Sequence, residues 1–459
     1  MMSSHWLRLS AVSLLIAGLI GCATHSQQTY QARVSESLEQ LTAWSVIDTE
    51  PAIDMVSITE LIDIPELKQW IDRALEHNPS LQQTALALKI AYAQKQQSAA
   101  DQLPSAELTL SGEKEEHNHT QYNTELSVSW ELDIWQKIAD GKAAASANLR
   151  SRAADYQAAK DTLAASIMWQ WLMINLYQQQ VHIETQRLEL LQRNEKVVTE
   201  RYCQGLGGLE DRDSALTNME STRATLGEYQ ETLASARRDL TTLLGQLGSQ
   251  DPLIIPAQFP TVLLSLAHFP EQDLARRPDL IAAYANIEAQ QYTTQVAYKA
   301  MLPSLSFSAA LSDSDHRLSD SLLTSPLWSI LGQLTAPLFQ GGKLKAEAEM
   351  EALTTEQVFW AYQETLLTAV NEVESAFGQE QALERQQQHL RLALDSAQRS
   401  SANYLDKYRK GLVDILELLT IQQQTYDIEI KLAQVTYNRL SNRIDLGLAL
   451  GLGVKNEDQ

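Results

Sequence analysis

Two stretches of the chain, 142–204 and 343–410, each run for more than sixty residues with no proline and a single glycine, Gly378, between them. Glycine and proline are the strongest interrupters of a helix, so their absence from segments rich in Ala, Leu, Gln and Glu predicts unbroken helices. Apolar positions such as Leu163, Ile167, Trp171 and Ile174 recur at steps of three and four, the spacing of one amphipathic face. At 1.5 Å per residue, 142–204 reaches about 95 Å, roughly three bilayer thicknesses. Such rods must project through an aqueous space. A hydrophobic content of 44% and a mean hydropathy of −0.26 fit that demand and exclude a bundle of lipid-buried helices.

The same order of runs occurs twice. Residues 80–102 and 209–244 flank the first long run, and 279–302 and 412–446 flank the second. At an offset of 199, Leu75 to Leu81 (with Asn78-Pro79) matches Leu274 to Leu280 (with Arg277-Pro278-Asp279), and Leu103-Pro104-Ser105 matches Leu302-Pro303-Ser304. At an offset of 206, Arg201-Tyr202-Cys203-Gln204-Gly205 matches Lys407-Tyr408-Arg409-Lys410-Gly411, and Leu244-Gly245 matches Leu450-Gly451. A repeat this long is a whole structural unit, with boundaries expected at 66–245 and 274–451, a linker at 246–273 and a tail at 452–459. The short and medium runs together match the long one. They are therefore expected to stack end to end, antiparallel to it, with Gly205 and Gly411 turning the chain at one tip.

Between short and long runs the apolar period changes from 3.6 to 2. In Leu126 to Ile134, one face reads Leu126, Val128, Trp130, Leu132, Ile134 and the other Ser127, Ser129, Glu131, Asp133. With Ala106–Ser111, Leu305–Leu311 and Trp328–Phe339 this predicts four strands of membrane-barrel length in two hairpins, 106–135 and 304–339. The loops, Lys114–Gln121 and Ser312–Ser325, are polar. Trp130, Trp135 and Trp328 are expected at strand positions, as an interfacial aromatic girdle. Four strands cannot close a barrel, and open edges are not tolerated in hydrocarbon, so the chain must assemble. Three chains supply twelve strands, an even number within the known range. The expected fold is mainly α with membrane β: a sheet of long antiparallel helices and a twelve-stranded β-barrel shared by three internally duplicated chains.

The N-terminus carries Arg8 and a largely apolar run, Ala11–Ile20, of signal-peptide length and too short to span a bilayer. It ends Leu19-Ile20-Gly21-Cys22, which resembles a bacterial lipobox; residues 1–21 are then a cleaved signal peptide, Cys22 an acylated first residue, and 22–65 a lipid-anchored segment. Ala23 after Cys22 fits transfer to the outer membrane. The other cysteine, Cys203, is then left without a disulfide partner. The net charge of −22 opposes binding to nucleic-acid phosphates.

No catalytic, metal or cofactor site emerges. Gly141-Lys142 and Gly342-Lys343 lack the glycine a phosphate loop needs five residues earlier, where Gln136 and Pro337 stand, and read as turns before helices. His117 and His119 share a strand face without a third ligand. Neither H-E-x-x-H nor G-x-S-x-G occurs. The chain is expected not to be an enzyme.

Lipobox, duplicated helices, paired Leu-Pro-Ser segments, Trp130-Glu131-Leu132-Asp133-Ile134-Trp135, Ala336-Pro337-Leu338-Phe339-Gln340-Gly341-Gly342, the Tyr202 and Tyr408 turns and the two Leu-Gly endings together resemble the lipid-anchored branch of the outer-membrane efflux protein family. The resemblance covers nearly the whole mature chain. It implies a homotrimeric exit duct in the outer membrane, its long antiparallel helices closing into an α-helical barrel that extends into the periplasm, whose partners are a periplasmic adaptor, an inner-membrane transporter of the RND or a similar class, and outer-membrane lipid. A type I protein-secretion channel or a periplasmic adaptor lipoprotein is the alternative. The resemblance also marks a periplasmic gate: Gly205 and Asp211 at the first tip, Tyr408, Gly411, Asp414 and Glu417 at the second. Glu417 stands where some members carry an acidic ring, while Thr420 replaces a second acid, and Gly205-Leu206-Gly207-Gly208 is richer in glycine than the family pattern. Glu417 and the cluster Glu210, Asp211, Asp213 are read either as lumen-facing acids or as solvated helix starts that complement the dipole.

Overall fold

The structure is a computed structural model that describes residues 28–39, 57–62, 64–114, 116, 120–246, 255–256, 258–260 and 274–454. The expected signal peptide 1–21, Cys22, His117, His119, most of the expected linker 246–273 and residues 455–459 lie outside the described residues. The elements in chain order are α1 (Gln28–Glu39), α2 (Pro65–His77), α3 (Pro79–Ala100), β1 (Ser105–Glu113), β2 (Gln121–Leu132), α4 (Lys137–Cys203) and α5 (Leu209–Leu243). After the linker come α6 (Pro278–Lys299), β3 (Ser304–Asp315), β4 (Leu327–Thr335), α7 (Lys343–Arg409) and α8 (Ile415–Ala449).

Local chemistry sets the ends of these elements. Pro65, Pro79 and Pro278 open α2, α3 and α6, where a missing N–H costs nothing. The long helix α4 starts at Lys137, ahead of the expected break at Gly141, because the Asp133 carboxylate accepts the backbone N–H groups of Ile138 and Ala139 at 2.9 and 2.7 Å. Gly141 is thereby carried inside the helix. Strand β4 stops at Thr335 rather than Phe339, since Pro337 has no N–H to give to a ladder. Strands β2 and β3 run past the sequence expectation and take in Gln121 and residues 312–315 from the expected loops.

The chain forms two compact units, each drawing on both repeats: one holds residues 85–155 and 279–366 with the N-terminal segment, the other 46–84, 156–278 and 367–459. In the first, the four strands pair antiparallel in the order β1-β2-β3-β4, leaving β1 and β4 as edges. In the second, Trp171, Ile167, Met168, Leu172 and Ile174 of α4 pack with Leu67 and Ile71 of α2, Leu240 of α5 and Ile444 of α8. Here α4 is apolar around most of its circumference, as a helix enclosed by others must be.

The second unit also contains the joints between medium and short helices. Asn78 caps α3 by accepting the N–H groups of Ser80 and Leu81 at 2.9 and 3.1 Å, and its Nδ2 donates to the Leu243 carbonyl at the end of α5 at 2.9 Å. At the equivalent place in the second repeat, Arg277 donates to the Ala449 carbonyl at the end of α8 at 3.1 Å and to Glu372 at 2.7 Å. The expected end-to-end stacking is built in both repeats, by different side chains. Farther along α7 and α8, fully buried Glu380 receives Arg439 Nε at 2.8 Å and Arg443 Nη2 at 2.6 Å. Arg439 also pairs with Glu384 at 2.7 Å, so loss of Glu380 would strand the buried Arg443 charge above all.

Candidate functional site

The sheet has two unlike faces. Its register sets Leu126 opposite Leu108 and Leu311, Val128 opposite Ala106 and Ala309, and Trp130 opposite Phe307. Trp328, Ile330 and Leu334 continue this row on β4, opposite Leu311, Ala309 and Leu305. The face is apolar across all four strands and open to its surroundings, with Trp328 74% exposed and Ile330 71%. Alternate residues place Glu107, Glu125, Ser127, Ser129, Ser306 and Ser308 on the other face, and no strand carries a lysine, arginine or histidine. One face suits hydrocarbon; the other, apart from Leu327 and Leu331 of β4, suits water and cations.

The tryptophans divide. Trp130 and Trp328 sit on the apolar face, and Trp130 Nε1 donates to the Gln102 carbonyl at 3.0 Å. Trp135 does not lie on a strand, contrary to expectation. Strand β2 ends at Leu132, and Trp135 falls in the turn before α4, where its Nε1 donates to the Pro303 carbonyl at 2.7 Å and pins the two hairpins together.

At the tips, Gly205 and Gly411 both adopt left-handed backbone, φ +71° and +72°, which only glycine takes without strain. The hairpins they close pack on each other: Leu191, Val198, Ala215 and Met219 of the first bury against Ile415, Leu418 and Leu419 of the second, with Tyr404 and Tyr408 partly covered beside them. Tyr408 contributes its backbone carbonyl to the N–H of Gly411 at 2.9 Å. Asp211 accepts the Gly208 N–H at 3.3 Å. Asp414 is the N-cap of α8, accepting the Glu417 N–H at 2.8 Å, whereas the Glu417 side chain is exposed and makes no hydrogen bond or ion pair among the described residues. The two acids of the second tip thus have different tasks: one oxygen of Asp414 is committed to the helix start, and the Glu417 carboxylate is available. Arg212, unforeseen in the sequence, lies 5.1 Å from the Tyr202 ring and pairs with Asp213 at 2.9 Å.

A cleft of about 380 Å³ between α4, α5 and α8 is lined by Glu184, Arg187, Thr222, Tyr229, Asp427 and Lys431. Arg187 bridges to Asp427 at 3.0 Å and lies 3.6 Å from Glu184, whose burial raises its carboxyl pKa while Arg187 pulls it back. The sequence signal for this cluster was the Glu184, Arg187 spacing of three on a helix, which is equally the mark of an ordinary surface pair.

The family model described as outer membrane efflux protein matches residues 70–246 and 269–452. The chain is 26% identical to the probable outer membrane lipoprotein SilC of Salmonella typhimurium over 85% of its own length and 86% of that protein. It is 25% identical to outer membrane protein OprJ of Pseudomonas aeruginosa, covering 96% of this chain and 95% of the other. The crystal structure of the Campylobacter jejuni CmeC outer membrane channel superposes with a TM-score of 0.81 at 20% identity, over 90% of this chain and 91% of that one.

Proposed function

The chain belongs to the outer membrane efflux protein family and is an outer-membrane exit duct, and from that premise we propose how it is assembled and gated. Three copies join β1 to β4 into a twelve-stranded barrel, the apolar face outward and the Glu107, Glu125 and serine face lining the pore, with Trp130, Trp328 and, at the sheet's lower rim, Trp135 near the membrane interface. Acylated Cys22 anchors each copy in the inner leaflet. A periplasmic adaptor and an inner-membrane transporter of the RND or a similar class engage the tips at Gly205 and Gly411. The observation that carries the assembly is the bare apolar face bounded by two unpaired edges, whose backbone groups would each cost several kcal/mol in hydrocarbon if left open.

For the gate, the supporting observation is that the Glu417 carboxylate is free while Asp414 is held as a cap. Three copies of Glu417 around a narrow mouth attract cations and repel one another. Single-channel recording tests this: Glu417→Ala should weaken cation preference, and Glu417→Lys should reverse it or block the pore. Unchanged selectivity and conductance in both variants assign Glu417 to the outer wall.

A further inference from the structure

Helix α1 was not anticipated in the sequence, and it is docked rather than loose. Arg33 forms a two-pronged pair with Glu356 of α7, Nη1 to Oε2 at 2.8 Å and Nη2 to Oε1 at 3.0 Å, and its guanidinium lies 3.8 Å from the Phe359 ring centroid. Tyr30 donates to the same carboxylate at 2.9 Å, Gln363 donates to Ser37 at 2.6 Å, and Val34 is buried. Bidentate arginine with a stacked ring is among the stronger surface clasps available to a short helix. The Arg33 bonds hold the Glu356 carboxyl below its ordinary pKa, so the clasp persists through neutral pH and is lost only as acid protonates it.

The contacts also give a direction and a height. Tyr30 meets residue 356 and Ser37 meets residue 363, so α1 runs parallel to α7, its N-terminus toward the sheet. Leu338 and Phe339, 94% and 90% exposed, end the apolar region just before α7 begins at Lys343. From Lys343 to Glu356 the helix advances about 20 Å. From Gln28 back to Cys22 there are six residues, which reach about 20 Å when extended. The leash is as long as the drop.

Resting on the reading that Cys22 is acylated, we propose that α1 is a taut strap tying the lipid anchor to α7, whose height above the membrane β4 already fixes. The clasp on Glu356 and Phe359 leaves just enough chain for the acyl group to enter the leaflet. Shortening the leash forces a choice between lipid insertion and the clasp. The test deletes Thr24–Gln27, which leaves a reach of about 7 Å, in full-length protein reconstituted into phosphatidylethanolamine and phosphatidylglycerol vesicles, with hydrogen exchange read over residues 28–39. The shortened acylated form should lose protection there at least tenfold. Protection should stay intact in the acylated parent, in an acylated form lengthened by four residues, and in a shortened form exported unacylated from a secretory leader with Cys22→Ser. Equal protection in the two shortened forms overturns the strap, provided the N-terminal peptide mass shows the acyl group. An unmodified Cys22 in the parent overturns the anchor itself, and the strap with it. Arg33→Ala should release α1 in every form, and retained protection in that variant also contradicts the clasp.

Discussion

The sheet and the helical unit of this chain use the same kinds of side chain under opposite rules. Trp328, Ile330 and Leu334 are 74%, 71% and 69% exposed on the sheet, whereas Trp171, Ile167 and Leu240 are 1% exposed or less among the helices. Burying a side chain of this size away from water is worth about 1.5–3 kcal/mol, so a soluble protein would not leave the sheet residues bare. The contrast shows that the two halves of each repeat meet different solvents. In the helical unit the largest apolar side chains are enclosed in a core within the chain; on the sheet they are left for lipid.

The largest effect should come from the helical side. Trp171→Ala removes a fully enclosed ring and should cost about 3–5 kcal/mol, read as a lower denaturant midpoint of the detergent-solubilised protein, while Trp328→Ala should barely move it. If both move equally, the two regions share one solvent. Ile330→Arg should cost about 2–4 kcal/mol per copy in membrane assembly, measured as the yield of folded protein in vesicles, and Ser329→Arg on the opposite face should be tolerated.

Within the helical unit the two joints refine the picture. Gly245 and Gly451 both have left-handed backbone, at φ +69° and +78°, so alanine at either costs about 1–2 kcal/mol. A methyl group on Gly245 would also lie 2.4 Å from the His77 carbonyl oxygen, whereas the nearest atom to one on Gly451 is 3.4 Å away. Gly245→Ala should therefore unfold at clearly lower temperature than Gly451→Ala.

How much of this was legible in the sequence follows from which forces act locally. Helices and strand alternation were readable because period and breakers are local properties of Leu163 to Ile174 and Leu126 to Leu132. The ends were less so: the Asp133 cap carried α4 past Gly141, and Pro337 cut β4 short. Asn78 and Arg277 stood out as a repeated position, but their shared task depends on carbonyls 165 and 172 residues away. At the tip, Asp414 and Glu417 looked alike on a helix face until the cap geometry separated them. Helix α1 was invisible for a related reason, since its stability lies in Glu356 and Phe359 rather than in its own residues.

The remaining effect is a pH dependence in the helical unit. Desolvation raises the Asp445 carboxyl to about 6 from an ordinary 3.8. Between those values the folded chain holds a proton that the unfolded chain has lost, so stability should fall as pH rises from about 4 to 6 and level off above. Asp445→Asn should flatten that slope in unfolding midpoints measured across the window.

The central claim, that the sheet is a third of a barrel completed by identical copies, is tested most directly by native mass spectrometry of the protein in mild detergent. The account predicts a single species at three times the mature chain mass. A folded, stable monomer would contradict it, because β1 and β4 would then have survived as open edges.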